Sequence, residues 1–417
     1  MKKIRPDLLF LGLTVFMILM ILGITWGNYQ FTKENPGGND FISRWLGTRL
    51  FVTEGINPYS DEATLRIQEF FYGREALPNE DQQLFVYPYY SMLFFAPFSL
   101  IEDFALARAV WMTVLEIGLL VISFSSMAAV GWKPGRSTLI IFLIFTLTWY
   151  HAVRPLINGN PAILAAVFIS LAFLMITRNR YTAAGVLIAF STIKPQMVIL
   201  LVPFVLWWAI SRRKTALIIS FSITMFFFVA ISQISQPDWL LGNLRQIVAY
   251  PSYTEPGTPG GIFSSWWSET GSSIGIGLSI FLALVLLIEW IAATKKDQYW
   301  FLWTASLTLV ITNLIGIRTS TANYIALMPG LILIFSIIQE RWKKESSKIV
   351  LFYLITLMVG VWWLFIATLI NSDQPWQNPI LFFPLPTLLF LNLYWVRYWA
   401  LNSRKMEIEE LAPLKNL

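Results

Sequence analysis

Three basic residues stand alone between apolar stretches of the chain: Arg154, Lys194 and Arg318. A charged side chain at the boundary of a lipid phase is expensive to hold unless it is paired or used. Fixed positive charge of this kind could bind a phosphate group. The alternative interpretation is that each side chain extends toward the phosphates of the bilayer lipids. The three residues are therefore candidates for an anion-binding site.

One carboxylate differs in position from the other acids in the loop segments. Asp40 follows the first apolar run and the turn-forming sequence PGGN, and it stands at the start of an amphipathic stretch. This place keeps it near the membrane surface, where it could act as a general base toward a hydroxyl group. Its structural alternative is a helix N-cap, a role that aspartate fills well. If Asp40 is not the base, Asp61 is the next candidate.

The residue types present exclude several other chemistries. The chain has no cysteine, which excludes disulfides, thiolate metal sites and cysteine nucleophiles. His151 is the only histidine, and a lone histidine without further ligands does not build a zinc site. No D-x-D pair occurs in the long loops, so a metal-clamped nucleotide-sugar is not indicated. No cofactor is predicted, and a divalent metal remains an open alternative.

These candidates must be positioned by a membrane-embedded bundle. Of the 417 residues, 56% are apolar and 13% are charged, and apolar runs near the length of a bilayer crossing recur along the chain. We therefore predict an all-α polytopic membrane protein with a single domain, 1–417, in contact with the lipid bilayer. No segment resembles a nucleic-acid-binding module. Twelve spans are predicted: 8–27, 105–130, 138–153, 161–177, 181–193, 195–210, 215–234, 270–293, 299–315, 322–339, 349–371 and 379–400.

Basic clusters fix the orientation, because lysine and arginine concentrate in cytoplasmic loops. On this rule both termini are cytoplasmic, and two long extracytoplasmic loops are predicted, 28–104 and 235–269. The first apolar run is interpreted as an uncleaved helix, since it is too long for a secretory signal and lacks a cleavage site. The clusters are Lys2/Lys3/Arg5, Lys133/Arg136, Arg178/Arg180, Arg212/Arg213/Lys214, Lys295/Lys296, Arg341/Lys343/Lys344/Lys348 and Arg404/Lys405.

The same rule decides between two interpretations of the middle of the chain. If Tyr87–Leu100 crossed the membrane and Thr182–Ile210 were one helix, the clusters at 133–136 and 178–180 would lie outside. We prefer an interpretation in which Tyr87–Leu100 lies on or dips into the outer interface. It requires a helix break at Lys194–Pro195, which proline favours by removing a helix donor. A broken helix at membrane depth is typical of a functional site.

The first long loop is predicted to contain interface helices. Apolar residues recur at helical spacing from Phe41 to Phe51, which indicates an amphipathic helix. Gly55 is a helix stop, and Ser60 or Asp61 caps a second helix. The second long loop, rich in glycine, proline and aromatic residues, either covers a binding site or is a mobile loop without a role.

The order of short motifs resembles glycosyltransferase family 87, within the membrane-embedded GT-C class. The motifs are an aspartate after the first helix, GINPY, FVYPYY, NGNPAIL, and an A-G…K-P element, here Asp40, Gly55–Tyr59, Phe85–Tyr90, Asn158–Leu164 and Ala184/Gly185/Lys194/Pro195. Three positions depart from the family pattern. Tyr89 replaces a proline, Asn160 replaces a glutamine, and Asn323 replaces a histidine that many relatives carry.

The resemblance implies a GT-C fold and a specific reaction. A sugar, mannose or similar, would move with inversion from a polyprenyl-phosphate donor to a lipid or glycan acceptor at the extracytoplasmic face of the plasma membrane. Asp40 would be the catalytic base, and Lys194 and Arg318, with Arg154 as a third candidate, would bind the donor phosphate. Tyr59, Tyr87 and Asn160 are further donor-binding candidates.

A transporter or flippase for a lipid-linked or small anionic substrate is the alternative function. A broken helix with a buried lysine would also suit such a protein. The position of Asp40 distinguishes the two: it should face a cavity shared with Lys194 in an enzyme, and water or lipid headgroups otherwise.

Overall fold

The computed structural model describes residues 6–78, 80–249, 257–294, 296, 298–369 and 378–411. Across these residues the chain forms α-helices and 3-10 helices and no strands. Among the described residues, seven helices are long and apolar enough to cross a membrane, or eight if the bent pair at residues 136–158 is counted as one span. The polytopic all-α prediction is confirmed. Lys2, Lys3, Arg5 and Lys295 lie outside the described residues, as does the segment 250–256 of the second loop.

The helices follow one another in a simple order. The first half of the chain forms α1 Pro6–Glu34, α2 Asn39–Glu54, α3 Asp61–Tyr72, α4 Met92–Ser99, α5 Phe104–Val130, α6 Arg136–Thr148, α7 Tyr150–Asn158, α8 Ala162–Thr177, α9 Tyr181–Ser191, α10 Pro195–Val198 and α11 Leu201–Ser211. The second half forms α12 Thr215–Ser235, α13 Trp239–Ala249, α14 Pro259–Trp266, α15 Gly271–Ala293, α16 Gln298–Thr312, α17 Met328–Arg341, α18 Ser346–Ala367 and α19 Pro384–Leu411. In the described part of the chain, 3-10 helices cover Tyr89–Ser91, Thr321–Leu327 and Pro379–Phe382.

Each of the twelve predicted spans corresponds to a helix or to consecutive short helices. The span 138–153 is the pair α6 and α7, bent by 41°. The span 195–210 is divided into α10 and α11, and the spans 322–339 and 379–400 each begin with a 3-10 helix. α1 is longer than predicted, because it continues through Glu34 until the sequence PGG ends it. Residues 28–34 of the predicted first loop are therefore helical.

Side-chain contacts show that the basic segments gather at one end of the bundle. α5 and α8 run parallel, since Gly118 packs on Ile163 and Ser125 contacts Ser170 further along both helices. Their ends at Val130 and Thr177 therefore share one end. Gln339 of α17 donates to the Lys133 carbonyl there, and Gln298 donates to the Ile176 carbonyl. We call this the basic end, and the opposite end, which carries residues 35–103, the loop end.

α2 is buried in protein rather than exposed along its apolar face. Phe41 stacks on Trp111 of α5 with ring centroids 5.4 Å apart, and Trp45 donates its indole N–H to the Ile101 carbonyl. Gly55 ends α2 in the left-handed conformation, and Ser60 caps α3 by accepting from the Ala63 amide. Both helix boundaries predicted for this loop are confirmed.

The break before Pro195 lies beside the middle of α12. Thr192 directly precedes it, and its hydroxyl contacts the sulfur of Met225, the middle residue of the 21-residue helix α12. α9 and α12 approach so closely that a Cβ at Gly185 would overlap the Ser220 hydroxyl. From the loop end, Tyr90 reaches the same depth and donates to the Thr192 carbonyl. The segment around Tyr90 thus dips into the bundle and meets the helix break.

Candidate active site

Lys194 is held inside the bundle by a neutral partner. Its side chain is 2% exposed, and Nζ donates to the Asn160 Oδ1 atom at 2.7 Å. No carboxylate of the described residues lies within ion-pair distance of Nζ. The NGNPAIL and K-P elements therefore meet in space, as two parts of one site.

Asn160 is fixed by the turn that joins α7 to α8. Gly159 adopts a left-handed conformation with φ of 66°, and its carbonyl accepts from the Trp111 indole N–H at 2.8 Å. A Cβ on Gly159 would lie 2.6 Å from the Cβ of Phe41, so glycine is required for this close approach. The turn that carries Asn160 is thereby packed directly on α2, one residue after Asp40.

Asp40 occupies the first turn of α2 and is not its N-cap. Gly38 is the N-cap residue, and no side chain caps the helix. The interpretation of Asp40 as a cap is therefore wrong, because the PGG turn lets the chain enter the helix two residues earlier. Among the described residues, the Asp40 carboxylate forms no hydrogen bond or ion pair. Its half-buried position leaves the carboxylate available to a substrate.

Asp40, Lys194 and Arg44 are near enough for their charges to interact. Asp40 and Arg44 are the charged groups that act on Lys194, Asp40 by attraction and Arg44 by repulsion. Asp40 forms no hydrogen bond or ion pair with Lys194 among the described residues, and a cavity shared by the two side chains stays a prediction. One carboxylate and two basic side chains thus lie in the region between the first turns of α2 and the helix break before Pro195.

Arg44 is a site residue that the sequence analysis did not identify. Its side chain is 8% exposed, and its guanidinium carbon lies 4.3 Å from the centroid of the Tyr87 ring. One nitrogen donates to the Ser43 hydroxyl at 2.6 Å, and Nε is buried without a hydrogen-bond partner. Burying a guanidinium without an anionic partner is unfavourable, so Arg44 resembles a cation kept for a ligand.

Tyr87 ends a strained segment beside Arg44, and Tyr59 contacts this segment. Gln83 and Val86 both have positive φ values, 52° and 44°, which non-glycine residues rarely adopt. The Tyr59 hydroxyl donates to the Tyr87 carbonyl at 2.6 Å, and burial raises the pKa of Tyr59. Tyr59 therefore supports the backbone of this segment, whereas the Tyr87 ring lies against the site.

The second loop anchors the same segment. Asn243 of α13 donates to the Tyr87 carbonyl at 3.0 Å, and Gln246 accepts from the Val86 amide at 2.9 Å. Strained backbone of this kind persists only where the surroundings fix it, and it concentrates at functional sites. Between α3 and α13 lies an open groove of about 690 Å³. Its polar lining includes Asn57, Ser60, Asp61, Thr64, Asp238 and Arg245.

Arg154 and Arg318 lie in other surroundings. Arg154 is 5.2 Å from the Phe365 ring centroid in α18, so its guanidinium packs on that helix. Arg318 is half-buried in the connection between α16 and the 3-10 helix Thr321–Leu327. In the same connection, Asn323 donates to the Thr319 hydroxyl at 3.2 Å. No described contact joins either arginine to Lys194, and their donor-binding roles stay predictions.

His151 packs in the interior beside this connection. Its Nδ1 atom lies 3.0 Å from the Thr321 carbonyl, and the ring contacts the ring of Tyr324. This environment agrees with the structural interpretation of the lone histidine. Over the part of the chain that the structure describes, no group of three His, Asp or Glu side chains could hold a metal ion.

The fold and the site define an all-helical, multi-pass membrane protein with an acid–cation cluster at a helix break. The family model of glycosyltransferase family 87 matches residues 85–315, which is more than half of the chain. The chain belongs to glycosyltransferase family 87 and is a GT-C-like membrane glycosyltransferase. No curated protein and no solved structure matches it.

Proposed function

We propose that the enzyme transfers a sugar, mannose or similar, from a polyprenyl-phosphate donor to a lipid or glycan acceptor at the extracytoplasmic face of the plasma membrane. The observation that carries this proposal is the charge arrangement of the site. An unpaired carboxylate, Asp40, stands near two buried cations, Lys194 and Arg44, which have only neutral partners. A phosphate between the cations would compensate both charges, and the carboxylate would remain free to act as a base.

The reaction is a direct displacement with inversion. Asp40 takes the proton of the acceptor hydroxyl as its oxygen bonds to the anomeric carbon of the sugar. The bond from that carbon to the phosphate oxygen breaks, and the electron pair leaves with the polyprenyl phosphate. Lys194 and Arg44 stabilise the negative charge that the phosphate gains. Arg318 and Arg154 are retained as proposed phosphate contacts in a donor-bound state.

The depth of the site supports a lipid-linked donor. Lys194 stands two residues after Thr192, which contacts the middle of α12. A polyprenyl donor reaches this depth through the bilayer, whereas a hydrophilic acceptor enters from the loop end. The groove between α3 and α13 has polar walls that suit hydroxyl groups of a glycan acceptor.

The proposal is tested by incubating purified enzyme with a panel of polyprenyl-phosphate sugars and, in parallel, nucleotide sugars. We expect release of polyprenyl phosphate that depends on an added acceptor glycan or glycolipid. Sugar transfer from a nucleotide sugar, with no turnover of any lipid-linked donor, would contradict the proposed donor class. The acceptor that stimulates release most strongly identifies the second substrate.

The proposed face is tested with single cysteines in this cysteine-free chain. Ser137 lies exposed at the basic end, and Asn158 lies at the end of α7 near the site. An impermeant thiol reagent added outside intact cells should label Asn158→Cys and leave Ser137→Cys unmodified until the membrane is opened. The reverse labelling pattern would place the site on the cytoplasmic side.

A further inference from the structure

Arg108 joins the two backbone segments that carry the functional groups of the proposed reaction. It lies in α5 and is 1% exposed. One terminal nitrogen donates to the Asn35 carbonyl at 2.8 Å, and the other donates to the Ile157 carbonyl at 3.0 Å. Asn35 precedes the PGG turn before Asp40, and Ile157 precedes the turn that carries Asn160. One guanidinium thus holds both segments at once.

The PGG turn is shaped around this side chain. A Cβ on Gly38 would lie 2.9 Å from the Arg108 Cδ atom, and one on Gly37 would lie 3.1 Å from a terminal nitrogen. Both glycines have positive φ, 146° and 82° in chain order, so the backbone bends at these two residues next to the guanidinium. Asp40 follows two residues later, in the first turn of α2.

A cation is an unusual choice for holding two carbonyl groups inside a membrane bundle. The guanidinium has no carboxylate partner among the described residues, and Nε forms no hydrogen bond. Its planar fork with five donors is the side-chain geometry that reaches two acceptors on separate segments with fixed spacing. A lysine has a single nitrogen and is not expected to hold both carbonyls at these separations.

We propose that Arg108 is a positioning residue that sets Asp40 relative to the Asn160–Lys194 pair. The proposal rests on the function proposed above, in which Asp40 is the base and Lys194 binds phosphate. Arg108 touches neither reacting group. It acts on the distance between the base and the phosphate site, which determines whether acceptor and donor are aligned.

The kinetic test compares Arg108→Lys with wild type. A misplacement of about 1 Å can cost about 10²-fold in rate, so we expect kcat to fall by about 10–100-fold with the donor KM changed less than about 2-fold. The matched control is Arg49→Lys, since Arg49 also donates to a backbone carbonyl, that of Ser99, but lies further along α2. The control should keep normal kcat. Equal kcat for Arg108→Lys and wild type would overturn the proposal, as would a loss confined to KM.

A distance measurement separates this proposal from the proposed function. Spin labels at Glu34→Cys and Asn158→Cys report the separation of the two segments without requiring turnover. We expect a narrow distance distribution in the otherwise wild-type chain and a broader or shifted one with Arg108→Lys or Arg108→Gln. Both substitutions keep a polar side chain, so they are less disruptive to folding than an apolar replacement. An unchanged distribution in both variants would overturn the linkage, even in an active enzyme. A changed distribution in an enzyme that turns over no lipid-linked donor would support the linkage and reject the proposed function.

Discussion

Two groups of charged residues in the described helices differ in their partners. Between α15 and α19, Glu289 and Arg397 form a two-pronged ion pair, with N···O distances of 3.1 and 2.9 Å. Tyr394 donates to the same carboxylate, and the Arg397 guanidinium packs on the Trp303 ring. Every charge of this pair is satisfied within the protein. This is the arrangement expected of a pair that joins two helices in an apolar medium.

The site near the helix break has the opposite arrangement. Lys194 and Arg44 donate to an amide and a hydroxyl, and Asp40 forms no bond to either of them. Burial alone therefore does not mark a functional charge in this protein. The neutralised pair Glu289–Arg397 joins two helices, and Arg108 holds two backbone carbonyls. Lys194 and Arg44 have neither arrangement, and they are the charges that we propose for a charged substrate.

The largest effect is expected from Asp40→Asn, compared with the same carboxylate-to-amide change at Glu289. Asp40→Asn removes the proposed base and should lower the transfer rate by about 10²–10⁴-fold. Donor binding and thermal stability should stay near wild type, because Asp40 makes no described contact that the amide would lose. Glu289→Gln is the matched change in the neutralised pair, and it should keep the rate. Near-normal transfer by Asp40→Asn would move the base elsewhere, with Asp61 as the next candidate.

The second-largest effect is a loss of donor affinity when Lys194 or Arg44 is replaced. Lys194→Met and Arg44→Met each remove a charge that would bind the donor phosphate. A hydrogen bond to a charged group contributes about 1.5–3 kcal/mol, so each change should weaken donor affinity by about 10–100-fold. Thermal stability should not fall, since an uncompensated buried charge is removed. Donor affinity is measured by titration with a nontransferable polyprenyl-phosphate analogue.

Arg49→Met is the control for this experiment. Arg49 lies in the same helix as Arg44, but its partners are the Ser99 carbonyl and the exposed carboxylate of Glu102. Its removal should leave donor affinity unchanged. An equal loss of affinity in Arg44→Met and Arg49→Met would mean that general positive charge, rather than a defined site, attracts the donor.

The third-largest effect is the change in stability when the Glu289–Arg397 ion pair is broken. Arg397→Met leaves Glu289 buried without a counter-ion, and because Arg397 is partly exposed we expect a loss of about 1–3 kcal/mol in stability. Removing both charges, in Glu289→Met with Arg397→Met, should recover most of that loss. Thermal unfolding in detergent measures both variants, and sugar transfer should continue in each. A loss of transfer with full stability would show that this pair also serves the reaction.

Much of the fold could be predicted because the bilayer restricts the alternatives. Apolar runs must be helical in lipid, so composition and basic clusters predicted where the described helices lie and the helix break before Pro195. The same reasoning predicted the end of α2 at Gly55 and the cap at Ser60. It could not predict that α2 is buried, because the covering residues, Trp111 among them, come from distant parts of the chain.

Part of the candidate site was predicted from the sequence motifs. The motif order brought together Asp40, Asn160 and Lys194, but no pattern showed that Asn160 binds Lys194. Arg44 was missed because an arginine between apolar residues is typical of the polar face of an amphipathic helix. Arg108 had a detectable signal, since only it and Glu116 carry charge in the 27-residue helix α5. An isolated arginine in such a helix has to find polar partners within the bundle.

The smallest effect tests whether another carboxylate neutralises Arg44. Asp81 is half-buried in the segment beside the site, and its carboxylate accepts from the Gln83 amide at 2.8 Å. Burial raises the pKa of Asp81 above its ordinary value, and the negative charge of Asp40 adds to the rise. The Gln83 amide and Arg44 oppose this shift without reversing it. Asp81 is therefore a weak counter-ion for Arg44.

The sign of a pH effect distinguishes a weak counter-ion from a strong one. With a raised pKa, the folded state favours the protonated carboxyl, so its contribution to stability is lost as pH rises through the folded-state pKa. Asp81→Asn keeps the acceptor for the Gln83 amide and removes this loss, so its stability relative to wild type should increase from acid to neutral pH. Thermal unfolding at several pH values measures the difference, with the exposed Glu75→Gln as the control. A strong ion pair to Arg44 would lower the pKa of Asp81, and Asp81→Asn would then be less stable than wild type at neutral pH. That outcome would make Arg44 a neutralised charge like Arg397 and remove it from the donor site.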